Sequence, residues 1–84
     1  MKKQEYNIDL RGVRSARALH DRLDGKLPFP EGYGRNLDAL HDFLTEYGPR
    51  MKIVFSNSKG APASLRRLCA DAVSETPGLE VVFA

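Results

Sequence analysis

Asp38 and Asp42 stand four residues apart, with His41 and Thr45 beside them and Glu46 just beyond. Residues at i and i+4 of a helix are neighbours, about 6 Å apart, so this spacing sets two carboxylates side by side. Several kinds of chemistry would use such a group. A divalent metal would take Asp38, His41 and Asp42, but the spacing matches no established ligand pattern, and no metal is expected. Acid–base or nucleophilic catalysis needs a nucleophile beside a histidine. His41 has only Asp38 at i−3 and Thr45 at i+4, while His20 adjoins Asp21, and adjacent helical residues do not face one another. The single cysteine, Cys69, falls on an apolar helical stripe and reads as core. Gly32-Tyr33-Gly34 is too short for a phosphate-binding loop and follows no strand. No enzyme and no cofactor is therefore expected. What remains is an acidic helix face, either plain solvated surface or a binding surface for a cationic site. Two neighbouring carboxylates on a rigid helix imitate successive phosphates and would suit a pocket built to hold RNA.

The charge balance singles out the same segment. Lys plus Arg is 13 and Asp plus Glu is 11, a net of +2. That excess hints faintly at nucleic acid. Yet residues 28–47 hold Glu31, Asp38, Asp42 and Glu46 against Arg35 alone, a net of −3, which leaves +5 for the remainder. The other bases, including Lys2, Lys3, Arg14, Arg17, Arg66 and Arg67, are scattered and have no interleaved aromatics, so direct nucleic-acid binding is not expected. Apolar runs of only three or four residues, such as 81–84, exclude a membrane-spanning helix. The polar N-terminus is followed by no apolar run, so no secretory signal is expected; with a lone cysteine this suits a reducing cytoplasm. Eighty-four residues suffice for one domain, taken as 1–84.

The elements that must position this face follow from periodicity. Tyr6, Ile8 and Leu10 alternate with Asn7 and Asp9, the pattern of a strand with one covered face. Ser15 suits a helix N-cap, with Ala16, Leu19 and Leu23 at helical spacing and Asp24-Gly25 as the end. Pro28 and Pro30 break any helix in the next stretch. Asn36 caps a second helix running to about Tyr47, with Leu37, Ala39, Leu40, Phe43, Leu44 and Tyr47 on one side and Asp38, His41, Asp42, Thr45 and Glu46 on the other. Gly48-Pro49 ends it. Met51–Phe55 reads as a strand and 56–62 as a loop. Leu65, Leu68, Cys69, Ala72 and Val73 then form an amphipathic stripe, and 79–84 is a final strand. The order β-α-α-β-α-β, with helices between the strands, predicts an α/β fold with three parallel strands, three main helices and helices mainly on one face.

The run from Pro30 to Thr45, Pro-Glu-Gly-Tyr-Gly-Arg-Asn-Leu-Asp-Ala-Leu-His-Asp-Phe-Leu-Thr, closely resembles the central motif of the barstar family, intracellular inhibitors of secreted bacterial ribonucleases such as barnase. The family pattern is roughly Pro-x-x-Tyr-Gly-x-Asn-Leu-Asp-Ala-Leu-x-Asp-x-Leu-Thr. The resemblance implies a barstar-like fold and a proteinaceous ribonuclease inhibitor, an antitoxin or immunity protein that plugs a bacterial ribonuclease in a one-to-one complex. The alternative is a barstar-like interaction module whose partner is not a nuclease. Carried over residue by residue, Asp42 is the main anchor toward the phosphate-gripping cluster, Asp38 meets bases beside it, and Asn36 and Thr45 bond at the edge. Tyr33 belongs to the motif, and Asp71 stands where the family has a contacting glutamate. Three positions depart from the pattern on the contact face: Gly32 for an aromatic residue, His41 for a tryptophan and Glu46 for a glycine. The stretch 56–62 is shorter than the corresponding region of the family, which contains an additional helix, so that helix is expected to be missing or reduced to a turn.

Overall fold

Alternating side chains give a strand whose one face needs cover, and amphipathic helices supply it. The computed structural model describes residues 3–84; Met1 and Lys2, at the head of the polar N-terminal stretch, lie outside the described residues. The chain runs β1 (Gln4–Asp9), α1 (Ala16–Asp24), α2 (Leu37–Tyr47), β2 (Met51–Ser56), α3 (Ala63–Glu75) and β3 (Glu80–Phe83). The strands are all parallel, in the order β1-β2-β3. This is the α/β architecture and element order that the periodicity predicts.

Register explains which face is covered. Ile8 pairs with Phe55 and Phe55 with Phe83; Tyr6 pairs with Ile53 and Ile53 with Val81. Those two rungs carry the apolar side chains that meet the helices, and the Phe55 and Phe83 rings stack at 5.1 Å. The alternate rungs carry Glu5, Lys52 and Glu80, and Asn7, Val54 and Val82, with Val82 exposed. The uncovered face therefore mixes the polar Glu5, Asn7, Lys52 and Glu80 with the valines Val54 and Val82.

Each helix adds a few large side chains to the core. Leu19 and Leu23 come from α1, Leu40, Phe43 and Leu44 from α2, and Leu65, Cys69 and Ala72 from α3. Full burial of each Leu, Ile or Phe is worth about 1.5–3 kcal/mol, which outweighs any single surface contact here. The caps fall where the sequence places them. The Ser15 hydroxyl accepts the Ala18 N–H at 3.1 Å, and the Asn36 side-chain oxygen accepts the Ala39 N–H at 2.7 Å. The stretch after β2 holds only a single 3-10 turn, Ser58–Gly60, as its length predicts.

Three assignments change. Gly48-Pro49 does not simply stop the second helix; it tightens into a 3-10 turn over Gly48–Arg50 that leads into β2. Tyr47 is 46% exposed, although its ring lies 5.2 Å from that of Phe43. Val73 is 38% exposed, on the flank of the α3 stripe, where it borders an open cleft shared with Val81 and Phe83 of β3.

Gly78 connects α3 to β3 with φ +94°, and a Cβ there would overlap the Pro49 carbonyl. Gly25 at the end of α1 has an ordinary φ of −77° and only normal contacts around the same position. Gly78→Ala should therefore lose about 2 kcal/mol or more, from the left-handed backbone and the clash together. Gly25→Ala should be neutral or gain about 0.4–1 kcal/mol by restricting the unfolded chain. Urea unfolding midpoints at constant m-value check both.

Candidate functional site

The two prolines keep residues 28–36 out of helix, so this loop must be held by side chains. Leu27 enters the core. Phe29 stacks face to face on Tyr33, centroids 3.8 Å apart, and its other side meets Phe43 of α2 at 4.6 Å. The Tyr33 hydroxyl lies 3.3 Å from Nδ1 of His20 on α1. Burial pushes the Tyr33 phenol up to about 12. Burial, followed by the nearby Arg35 charge, lowers the His20 pKa, so its ring is held neutral in the fold. Arg35 closes the loop. Its Nη1 bonds Asp24 of α1 at 2.8 Å and its Nη2 pairs with Asp21. It does so with φ +53°, in the left-handed region.

Past the Asn36 cap, α2 turns Leu40, Phe43 and Leu44 inward. That sets Asp38, Asp42 and Glu46 at i, i+4 and i+8, one exposed ridge along the outer side. Among the described residues none of the three has a lysine, arginine or histidine within 4.0 Å. Shallow clefts flank the ridge. One, of about 190 Å³, lies toward the loop and is lined by Glu31, Gly32, Tyr33, Asp42, Glu46 and Tyr47. The other, of about 240 Å³, lies between α2 and α3 and is lined by Asp38, His41, Ser64, Arg67 and Asp71.

The structure thus brings Gly32, Tyr33, Asp42 and Glu46 together on one flank, and Asp38, His41 and Asp71 on the other. Gly32 has φ +85° and open space where a side chain would stand. Asn36 is engaged as the cap, and its amide also donates to the Gly34 carbonyl. The Thr45 hydroxyl donates to the Asp42 carbonyl at 3.1 Å. His41 does not stand on a free acidic face. It is half-buried against α3, with Nε2 2.8 Å from a Glu75 carboxylate oxygen. Asp38, His41 and Asp42 do not combine into a metal-ligand cluster of three among the described residues. Cys69 is buried, and burial pushes its thiol up to about 12. Sequence reasoning missed Arg35, Glu75 and the role of His20. Their partners lie 14, 34 and 13 residues away along the chain, beyond any local periodicity.

The chain is similar to known proteins. Residues 4–76 match the model of a family described as Barstar (barnase inhibitor). A protein of Bacillus subtilis (strain 168) named "Putative ribonuclease inhibitor YrdF" is 58% identical over 38 residues, which are 45% of this chain and 42% of that protein. The chain therefore spans less than half the length of that curated relative in the match. No helix among the described residues is long and apolar enough to cross a membrane.

The lowered His20 pKa fixes a direction for the pH dependence. In the unfolded chain His20 takes a proton near its ordinary 6.5, whereas the fold resists it. The unfolded state binds more protons below that pH, so stability falls as pH drops from about 7 toward the lower folded pKa and then levels. Urea midpoints at pH 7.5 and 5.5 should separate for the wild type and converge in His20→Gln. Cys69 should react with a thiol reagent at pH 8 only after denaturant is added.

Proposed function

Because the chain belongs to the Barstar (barnase inhibitor) family, we propose that it inhibits a bacterial ribonuclease by seating the α2 ridge in the enzyme's active site. The family is one of inhibitors and not of enzymes. The observation that carries the reading is the ridge itself: three carboxylates on one helix, none paired with a cation among the described residues. A site that grips RNA phosphates presents arginine, lysine and histidine, and charge-assisted bonds from these to carboxylates are the strong ones. Asp42, central in the ridge, is the anchor. Asp38 and Asp71 take bases across the cleft toward α3, with His41 between them. Tyr33, Gly32 and Glu46 shape the opposite flank, and Asn36 and Thr45 serve at the edge. The complex is one-to-one, the role that of an antitoxin or immunity protein, and the site of action the cytoplasm of the cell that makes the nuclease.

Helix energetics support this assignment. Like charges at i and i+4 cost a helix about 0.2–0.5 kcal/mol per pair. Asp42 has such a neighbour on both sides, Asp38 and Glu46. The arrangement therefore weakens the free protein slightly and gains only when opposite charge arrives. Complementary fields also speed encounter, an effect that salt suppresses.

Inhibition of purified barnase and of other secreted bacterial ribonucleases tests the proposal. Asp42→Ala should weaken inhibition by about 30-fold or more, the scale of an interface hot spot. Its free form should unfold at slightly higher urea, which separates lost binding from lost folding. Asp38→Ala should have a smaller effect in the same direction. The association rate should fall steeply between about 50 and 500 mM salt. Unchanged inhibition in both alanine variants would sink the ridge mechanism. Capture of a stable partner with no nuclease activity, and no binding to any ribonuclease, would favour the interaction-module alternative.

A further inference from the structure

Arg35 is the single base in the acidic segment, yet it makes no contact with the carboxylates of that segment. It reaches back to α1 and takes both Asp21 and Asp24, which stand at i and i+3 on that helix's exposed side. To do so its backbone adopts φ +53°, which non-glycine residues rarely hold. It immediately precedes Asn36, the cap of α2, and follows Tyr33 by two residues, whose hydroxyl meets His20 on the same α1. Three side-chain contacts therefore tie residues 33–35 to α1, one from Tyr33 and two from Arg35, at the point where the ridge helix begins. We infer that Arg35 is a positioning residue for the binding surface: its clamp on Asp21 and Asp24 fixes the start of α2 and the loop flank of the ridge. The clamp also absorbs the acids of α1, so that the acidity offered to a partner is confined to α2 and its clefts.

Surface ion pairs add little to global stability, so a clamp of this kind acts locally. The test uses two variants of opposite charge. Arg35→Gln removes a positive charge, and Asp21→Asn/Asp24→Asn removes two negative ones. If only net charge mattered, the two would shift association with a cationic nuclease in opposite directions. A lost clamp moves both the same way. Hydrogen exchange of the Tyr33, Ala39 and Leu40 amides, which the loop and cap protect, should accelerate about three- to tenfold in both, the scale of one or two exposed ion pairs. Exchange at Ile53 and Phe55 in the central strand should not change. The triple variant should show no further increase, since both changes break the same pairs. The partner readout rests on the inhibitor reading above: dissociation from barnase should quicken about three- to tenfold in both variants, with melting temperature nearly constant. Uniform acceleration through the sheet, shifts of opposite sign, additive effects in the triple variant, or no change at Tyr33 and Ala39 would overturn the inference. If the wild-type chain does not bind barnase, the inhibitor reading for that enzyme fails, while the exchange rates still decide the role of Arg35.

Discussion

Everything on the candidate surface depends on the buried side of α2. Three like-charged carboxylates in a row do not favour a helix, so their geometry must be imposed from the other face. Leu40, Phe43 and Leu44, each 4% exposed or less, do this by packing into the core. Burial of three such side chains contributes several kcal/mol, against a few tenths for each repulsive pair. The ridge is therefore rigid because its opposite face is apolar. Asp38 is doubly placed, since a carboxylate in the first turn also complements the positive end of the helix dipole.

Charge is distributed by the same logic. Part of the scaffold's positive charge is engaged within the molecule. Arg22 donates to the Asp9 and Arg11 carbonyls, Arg66 donates to the Ser58 carbonyl and lies 4.7 Å above the Phe83 ring, and Lys3 pairs with Glu80 across the open sheet face. Arg35 holds the acids of α1. The net of +2 thus averages over a scaffold in which some bases are engaged locally and a helix whose acids Asp38, Asp42 and Glu46 form no ion pair among the described residues. A surface of this kind has its sign set by which charges are internally satisfied, not by the total.

The flanks of the ridge show how a shared motif is individualised. Gly32 leaves open space at the loop tip, and Glu46 and Tyr47 stand across that cleft from it. On the other flank His41 is drawn toward α3 by Glu75, which keeps a flat ring in the cleft beside Asp38 and Asp71. The resemblance to the barstar family marks Gly32, His41 and Glu46 as departures. In the fold they fall on both flanks of Asp38 and Asp42, so they alter the shape around these two acids and leave the acids themselves in place.

Elements were legible in the sequence because they rest on local rules. Period-two alternation at Tyr6, Ile8 and Leu10, caps at Ser15 and Asn36, and the stripe Leu65, Cys69, Ala72 all express forces between residues a few positions apart, or between a residue and solvent. The carboxylates Asp38, Asp42 and Glu46 were legible for the same reason, since helical spacing alone sets them on one ridge. Exposure at the edge of a stripe was not: Tyr47 and Val73 fit an apolar stripe, yet both are partly open to solvent in the fold, which periodicity within one helix does not report. Nor were the pairings that shape the site. Tyr33 with His20, Arg35 with Asp21 and Asp24, and His41 with Glu75 join residues far apart in the chain. Their contacts arise when the sheet brings α1, α2 and α3 onto one face. Which helix carries the acids is written in the local spacing of Asp38, Asp42 and Glu46; which charges find an internal partner emerges only on folding, because ion pairing depends on where distant segments meet and not on local periodicity.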